Sequence, residues 1–264
     1  MSQQLRLTSV AIRRRGLTLI ELVVVMVILA ALAGILVPLL PGMVGRAHTS
    51  SSATNVGEIA KAIQTHQAVQ LSYPSNFDSL VTPAGALVSY LPGAAAGQLT
   101  TATLTDETAD ALVDAGITTM AQMIATPASN PGDFSPTFFP YGTDRDVPPT
   151  STALADGVAV ASLTGAAANR LFAAPVGATY ALFGVGSRTT MQGRSLQDAP
   201  VHFPESANDS PNVAYSRYAV VFQLTDGSGN PLKSARMVGV CAFHDDAVVS
   251  LNDHVAEYWE ASKS

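Results

Sequence analysis

Residues 13–40 read RRRGLTLIELVVVMVILAALAGILVPLL, and the architecture of the chain turns on this stretch. From Leu17 to Leu40, Glu21 is the only ionisable residue among 24. As a helix the run extends about 36 Å at 1.5 Å per residue, against about 30 Å of bilayer hydrocarbon. A removable secretory signal has an apolar core of only about 7–15 residues, followed by a small-residue cleavage site. Here the small residues Ala30, Ala31 and Ala33 lead into further apolar sequence, so the run is expected to remain as a membrane anchor. Arg6, Arg13, Arg14 and Arg15 precede it, whereas only Arg46 and Lys61 follow closely. That asymmetry predicts a cytoplasmic N-terminus and an extracytoplasmic head.

Glu21 needs its own account. A carboxylate at the centre of a membrane helix costs about 2.5–3.5 kcal/mol on insertion scales, and such groups usually have a partner. One reading is that Glu21 lies shallow enough to reach the headgroups. The other requires a cation beside it, which a cut after Gly16 would create as the free α-amino group of Leu17. Pairing that amine with Glu21 of a neighbouring copy would neutralise both charges and set the stagger between helices.

RRRG followed by LTLIELVVVMVILAALAGILVP resembles the class III signal of type IV pilins and type II secretion pseudopilins. The resemblance covers about residues 13–71. It implies cleavage after Gly16 by prepilin peptidase, methylation of the new N-terminus at Leu17, and an assembly role for Glu21 five residues into the mature chain. Pro38 falls where many of these proteins carry a helix-distorting Pro. Two features depart from the commonest pattern: Leu17 stands where Phe or Met is more frequent, and the leader runs to 16 residues. The implied partners are prepilin peptidase, identical or homologous pilin subunits, the inner-membrane assembly platform and the membrane itself. The implied location is the inner membrane as a single-pass protein, then a periplasmic or cell-surface filament.

Composition is compatible with this class. The formal charge is −6, and loss of the leader with its four Arg makes the mature chain −10. An acidic exported domain lacks the basic face that nucleic-acid binding needs, so no nucleic acid is expected. Cys241 is the only cysteine, which excludes the intrachain disulfide that many type IV pilins close near their C-terminus. It lies in the alternating run MVGVCAF and is expected in the core.

The expected fold class is α+β, with a long N-terminal hydrophobic stalk helix packed on a C-terminal antiparallel sheet. The leader is 1–16, the transmembrane or filament-core helix 17–40, its amphipathic continuation 41–76 and the head 77–264. Pro38 and Pro41 should kink or loosen the helix. Val56, Ile59, Ala60, Ile63, Ala68 and Leu71 then recur near helical spacing and mark the core-facing side. FDSLVTP suggests a helical turn, and residues 105–125 two short helices, 105–115 and 118–125, broken at Gly116, with Thr105 an incomplete N-terminal signal. LVDAGI resembles the hairpin of a helix-hairpin-helix DNA module, but Asp106, Glu107, Asp110 and Asp114 surround it.

Residues 127–152 are rich in Pro and aromatics and are expected to form an irregular surface loop inserted between stalk and sheet. Strands are predicted at 178–186, 218–225, 235–243 and 247–252, with turns at 226–231 and 244–247, making a C-terminal β-meander. The tail is expected to form a short helix with Trp259 packing back on the head.

No nucleophile motif or paired-His zinc motif occurs, and no enzyme is expected. Asp245, Asp246 and Asp253, with His244 and His254, are candidate metal ligands near the C-terminal turns. Their spacing does not reproduce a calcium loop, so Ca2+ is a bare possibility and no cofactor is otherwise expected. GVGSR at 184–188 lacks the third Gly of a nucleotide-binding fingerprint. The expected function is that of a structural subunit of a type IV pilus-like or type II secretion pseudopilus filament. The alternatives are a minor tip pilin or adhesin, and a signal-anchored extracytoplasmic binding protein.

Overall fold

A helix apolar on every side opens the described part of the chain: α1, Leu19–Leu36, in which no residue is buried. The structure is a computed structural model and describes residues 18–37, 40–92, 97–125, 134–142, 150–202, 211–244 and 247–263. The chain divides into two compact units, Met1–Val44 and Gly45–Ser264. Helix α2, Leu40–Gln70, begins in the first and continues through the second.

Within the second unit α2 is amphipathic, as its sequence predicts. Val56, Ile59 and Ile63 enter the main hydrophobic core with Phe77, Phe222 and Val240. The helix is shorter than expected. It ends at Gln70, Leu71 turns to φ 58° and is 90% exposed, and Ala68 also faces solvent. Hydrogen bonds add direction to the packing. The Asn55 amide donates to the Tyr218 hydroxyl at 3.1 Å, that hydroxyl donates to Ser52 at 3.3 Å, and Ser52 Oγ pairs with His254 Nε2 at 3.0 Å. Ile59→Ala should cost about 2–5 kcal/mol by leaving a cavity under α2. A thermal melt of the mature chain in detergent checks this, and an unchanged midpoint would mean that α2 is not part of the core.

The described strands are β1 (Phe77–Asp78), β2 (Leu99–Thr103), β3 (Thr119–Ala121), β4 (Ser151–Ala153), β5 (Ala159–Leu163), β6 (Tyr180–Gly184), β7 (Ala219–Thr225), β8 (Pro231–His244) and β9 (Ala247–Ser250). They form one sheet in the order β4-β3-β1-β6-β7-β8-β9, with β5 pairing both β6 and β2. Strands β6 to β9 run antiparallel, so the predicted C-terminal meander is present. Every residue of β6 and β7 is buried, which requires cover on both faces of the sheet centre. At the β7–β8 turn the Asp226 carboxylate accepts from the backbone N–H groups of Ser228 and Asn230 and from the Asn230 amide. These donors, the Asn230 amide foremost, hold that carboxyl below its usual range.

Several sequence expectations are corrected. The expected helical insertion and Pro-rich loop are not separate from the sheet, because β3 lies in the first and β4 begins in the second. FDSLVTP contains β1 rather than a helical turn: Phe77 and Asp78 pair in parallel with Met120 and Ala121. The same pairing overrides the expected second helix at 118–125, which is occupied by β3. The first helix does form, as α3 (Asp106–Asp114), and Thr105 is a complete cap with Thr108 reciprocating. It ends in a Schellman motif: Gly116 N–H reaches Val113 O, Ile117 N–H reaches Leu112 O, and Gly116 adopts φ 98°. A Cβ at Gly116 would lie 2.5 Å from that of Ser72.

Of the Pro-rich loop, residues 134–142 are described, and Phe134, Ser135 and Thr137 are buried rather than displayed. Ser151 and Thr152 belong to β4. Helix α4 (Gly165–Phe172) was not anticipated; its cap is Thr164. The terminal helix α5 spans Leu251–Lys263, so it takes Leu251 and Asn252 from the expected last strand, and Trp259 is 62% exposed instead of packed inward.

Candidate assembly segment and the buried carboxylate

Helix α1 begins with a motif that the sequence analysis passed over. Thr18 is its N-cap in extended geometry (φ −73°, ψ 151°), and the cap is closed from both sides. Glu21 N–H donates to Thr18 Oγ1 at 3.3 Å, while Glu21 Oε2 accepts from Thr18 N–H at 2.8 Å and from its hydroxyl at 2.9 Å. This is the reciprocal capping box, and its signal was in plain view as T-x-x-E before an apolar run. Both bonds use Oε2, leaving Oε1 without a partner among the described residues.

Beyond the cap, α1 offers only apolar surface. Its 18 residues have a mean hydropathy of 2.9 and would extend about 27 Å. Side chains such as Met26, Val27 and Ile35 are all more than 60% exposed. A helix apolar on all sides is stable only inside lipid or among other apolar helices. It is long and apolar enough to cross a membrane.

Residues 12–37 match the family described as the prokaryotic N-terminal methylation motif. The segment is a class III prepilin signal. No curated protein and no solved structure matches the chain. Behind the signal the head has the α+β form expected of a pilin-like chain: an N-terminal helix followed by a largely antiparallel sheet with helices.

Among the predicted site residues, Gly16, Leu17 and Pro38 lie outside the described residues, as do Asp245 and Asp246. Pro41 lies in the first turn of α2, where a missing N–H breaks no helical hydrogen bond. Asp253 is an N-terminal cap partner and not a free metal ligand. It accepts from Ser250 N–H at 2.8 Å and from Ser250 Oγ, and it pairs with Arg170 at 3.5 Å. His254 is buried on Ser52, away from any ligand cluster, and no metal-binding group of three or more His, Cys, Asp or Glu occurs among the described residues. Cys241 is buried in β8, and burial pushes its thiol up to about 12.

One charged centre leaves no local motif in the sequence. Asp78, at the end of β1, is wholly buried and accepts hydrogen bonds from the hydroxyls of Tyr141 and Tyr215, the latter at 2.6 Å. Gly184 and Gly186 make room for it: a Cβ on Gly186 would lie 2.1 Å from the carboxylate, and one on Gly184 2.0 Å from the Tyr215 hydroxyl. Buried Arg217 balances the charge nearby while donating to Thr137 O at 3.0 Å and Ala199 O at 2.8 Å. The cluster ties β1 to residues 134–142 and 211–217, which have little regular structure of their own.

Burial raises the pKa of Asp78 above 3.8, opposed by the two tyrosines and Arg217. The folded chain therefore binds this proton more tightly than the unfolded one. The resulting stabilisation is full below the ordinary carboxylate range and is lost as pH rises through the raised pKa. Relative to Asp78→Asn, the native head should gain thermal stability as pH falls from neutral toward about 4. Paired melting curves across that range test this; a difference independent of pH would place the ionisation elsewhere.

Proposed function

We propose that this chain is a structural subunit of a type IV pilus-like or type II secretion pseudopilus filament, made as a membrane-anchored precursor and cut after Gly16 by prepilin peptidase. The observation that carries this reading is the prepilin signal joined to an apolar helix whose one carboxylate keeps an oxygen without a partner among the described residues. After cleavage, Leu17 would be the only residue ahead of the N-cap. Its amine would then lie next to the helix start, within reach of Glu21 on an adjoining copy. Because Oε2 serves the copy's own cap, Oε1 can accept from the neighbour's amine without uncapping α1. Two buried charges would be neutralised together, and the pair would fix the axial offset between adjacent helices. The precursor holds its N-terminus in the cytoplasm, and assembly on the inner-membrane platform buries α1 among its copies while the head stays outside. Pro38, which removes a backbone donor, supplies a place where the helix loosens during that transfer.

Peptide mass spectrometry on membranes and on sheared surface material tests the reading. An N-terminal peptide starting at Leu17 and one methyl group heavier supports a processed subunit. A chain starting at Met1 in a host with the peptidase would favour the signal-anchored binding protein. Recovery in the sheared fraction would favour an extended pilus over a periplasmic secretion filament.

A further inference from the structure

One side of α5 presents apolar side chains to solvent. Leu251, Val255 and Trp259 recur every four residues and are 40%, 43% and 62% exposed. At about 100° per residue they form a single stripe. The acids of α5 turn elsewhere. Asp253 caps the helix and pairs with Arg170, and Glu257 Oε2 lies 3.5 Å from Nδ1 of the buried His254. By the same spacing Glu260 falls about 140° round the helix from Val255, the middle of the stripe. His254 fastens α5 to α2, with its Nε2 3.0 Å from Ser52 Oγ. Ser52 is seven residues past Gly45, where the head unit begins, or about 11 Å of helix. The anchor's apolar run ends at Leu40, five residues before Gly45 and so no more than about 18 Å from it along the chain. The tail helix is therefore tethered within short reach of any bilayer that holds α1.

We propose that the stripe of Leu251, Val255 and Trp259 rests on the surface of the lipid bilayer that holds the chain's own anchor. A helix with one apolar side lies in the plane of the interface, its apolar face about 5–10 Å into the headgroup and acyl boundary. Trp is a side chain that settles at that boundary, where its ring is buried and its N–H stays wet. The tether makes the contact intramolecular, so a stripe too small to bind lipid from solution is sufficient. Its exposed area is on the order of 300 Å2, against about 800 Å2 per partner in a stable protein interface, so the stripe alone would not hold a second copy. The polar side of α5 is acidic, which fits a zwitterionic surface and disfavours a strongly anionic one. The contact keeps the head down on the membrane for as long as the chain is anchored. It needs only the anchored state, cleaved or not, and so does not depend on filament formation.

Trp259 is the only tryptophan, so its fluorescence reports on the stripe alone. The full chain is placed, one copy per disc, in phosphatidylcholine nanodiscs. Lipid brominated on the upper part of its acyl chains should quench the emission roughly twofold or more, iodide in the water should quench it little, and Val255→Glu should reverse both. Val255 is exposed, so this substitution leaves the packed side of α5 intact. Emission open to iodide and untouched by brominated lipid overturns the assignment. Protection that grows with the number of chains per disc, without quenching by brominated lipid, also overturns it, because a second copy then covers the stripe. Cleavage and methylation are read by mass on the same samples, so failure of the filament reading and failure of this contact are told apart.

Discussion

Replacing Gly16 by Leu is expected to trap the chain as a full-length precursor in the membrane. A branched side chain at this position removes the small residue that the cleavage pattern presents to the peptidase, and no amine is then freed on Leu17. Anchoring is unaffected, because α1 keeps its whole apolar length. Immunoblots of membrane and sheared fractions should show only the longer species in the first and nothing in the second. Normal mature mass from this variant would refute cleavage at that bond.

Loss of the Glu21 charge has the next largest effect, and two substitutions divide its roles. Glu21→Gln keeps a side-chain carbonyl that can accept from Thr18, so the capping box survives in part. Glu21→Val loses that reciprocal half of the box entirely, while Thr18 Oγ1 still accepts from the backbone N–H at position 21. Both variants should be inserted and cleaved. Both leave the incoming amine unpaired among apolar side chains, a penalty of about 2.5–3.5 kcal/mol, equivalent to roughly a hundredfold less incorporation. Quantifying variant and native chains in sheared filaments, against their totals in membranes, gives the ratio. If Gln restores incorporation, Glu21 acts only as a cap and the charge pairing is wrong.

The sequence was most legible where one face or one whole element is decided by local pattern. Helix α1 needed only its unbroken apolar run, α2 only the spacing of Val56, Ile59 and Ile63, and β6 to β9 only their clusters of Val, Tyr and Phe. It was least legible where two or three residues become a strand through distant partners. Phe77–Asp78 and Thr119–Ala121 have no length of their own to display alternation; each is extended because the other lies beside it. The Asp78 centre was hidden for a related reason, since its tyrosines lie 63 and 137 residues away in sequence. Its one local trace was GVG at 184–186. As a nucleotide motif that triplet fails, yet both glycines are required by the close approach of Asp78 and Tyr215. Similarly, T-x-x-E at the start of α1 was visible, but the apolar length of the segment drew the eye to the carboxylate's cost and away from its cap.

The chain's one thiol has a practical corollary. Cys241 is sealed inside β8, and its high pKa leaves almost none of it as thiolate at neutral pH. A cysteine introduced at an exposed site such as Ser228, in the β7–β8 turn, would therefore be the lone target for a maleimide dye. The native protein becomes a colourless background on which a single substitution would let the labelled chain be followed in membranes and in sheared material.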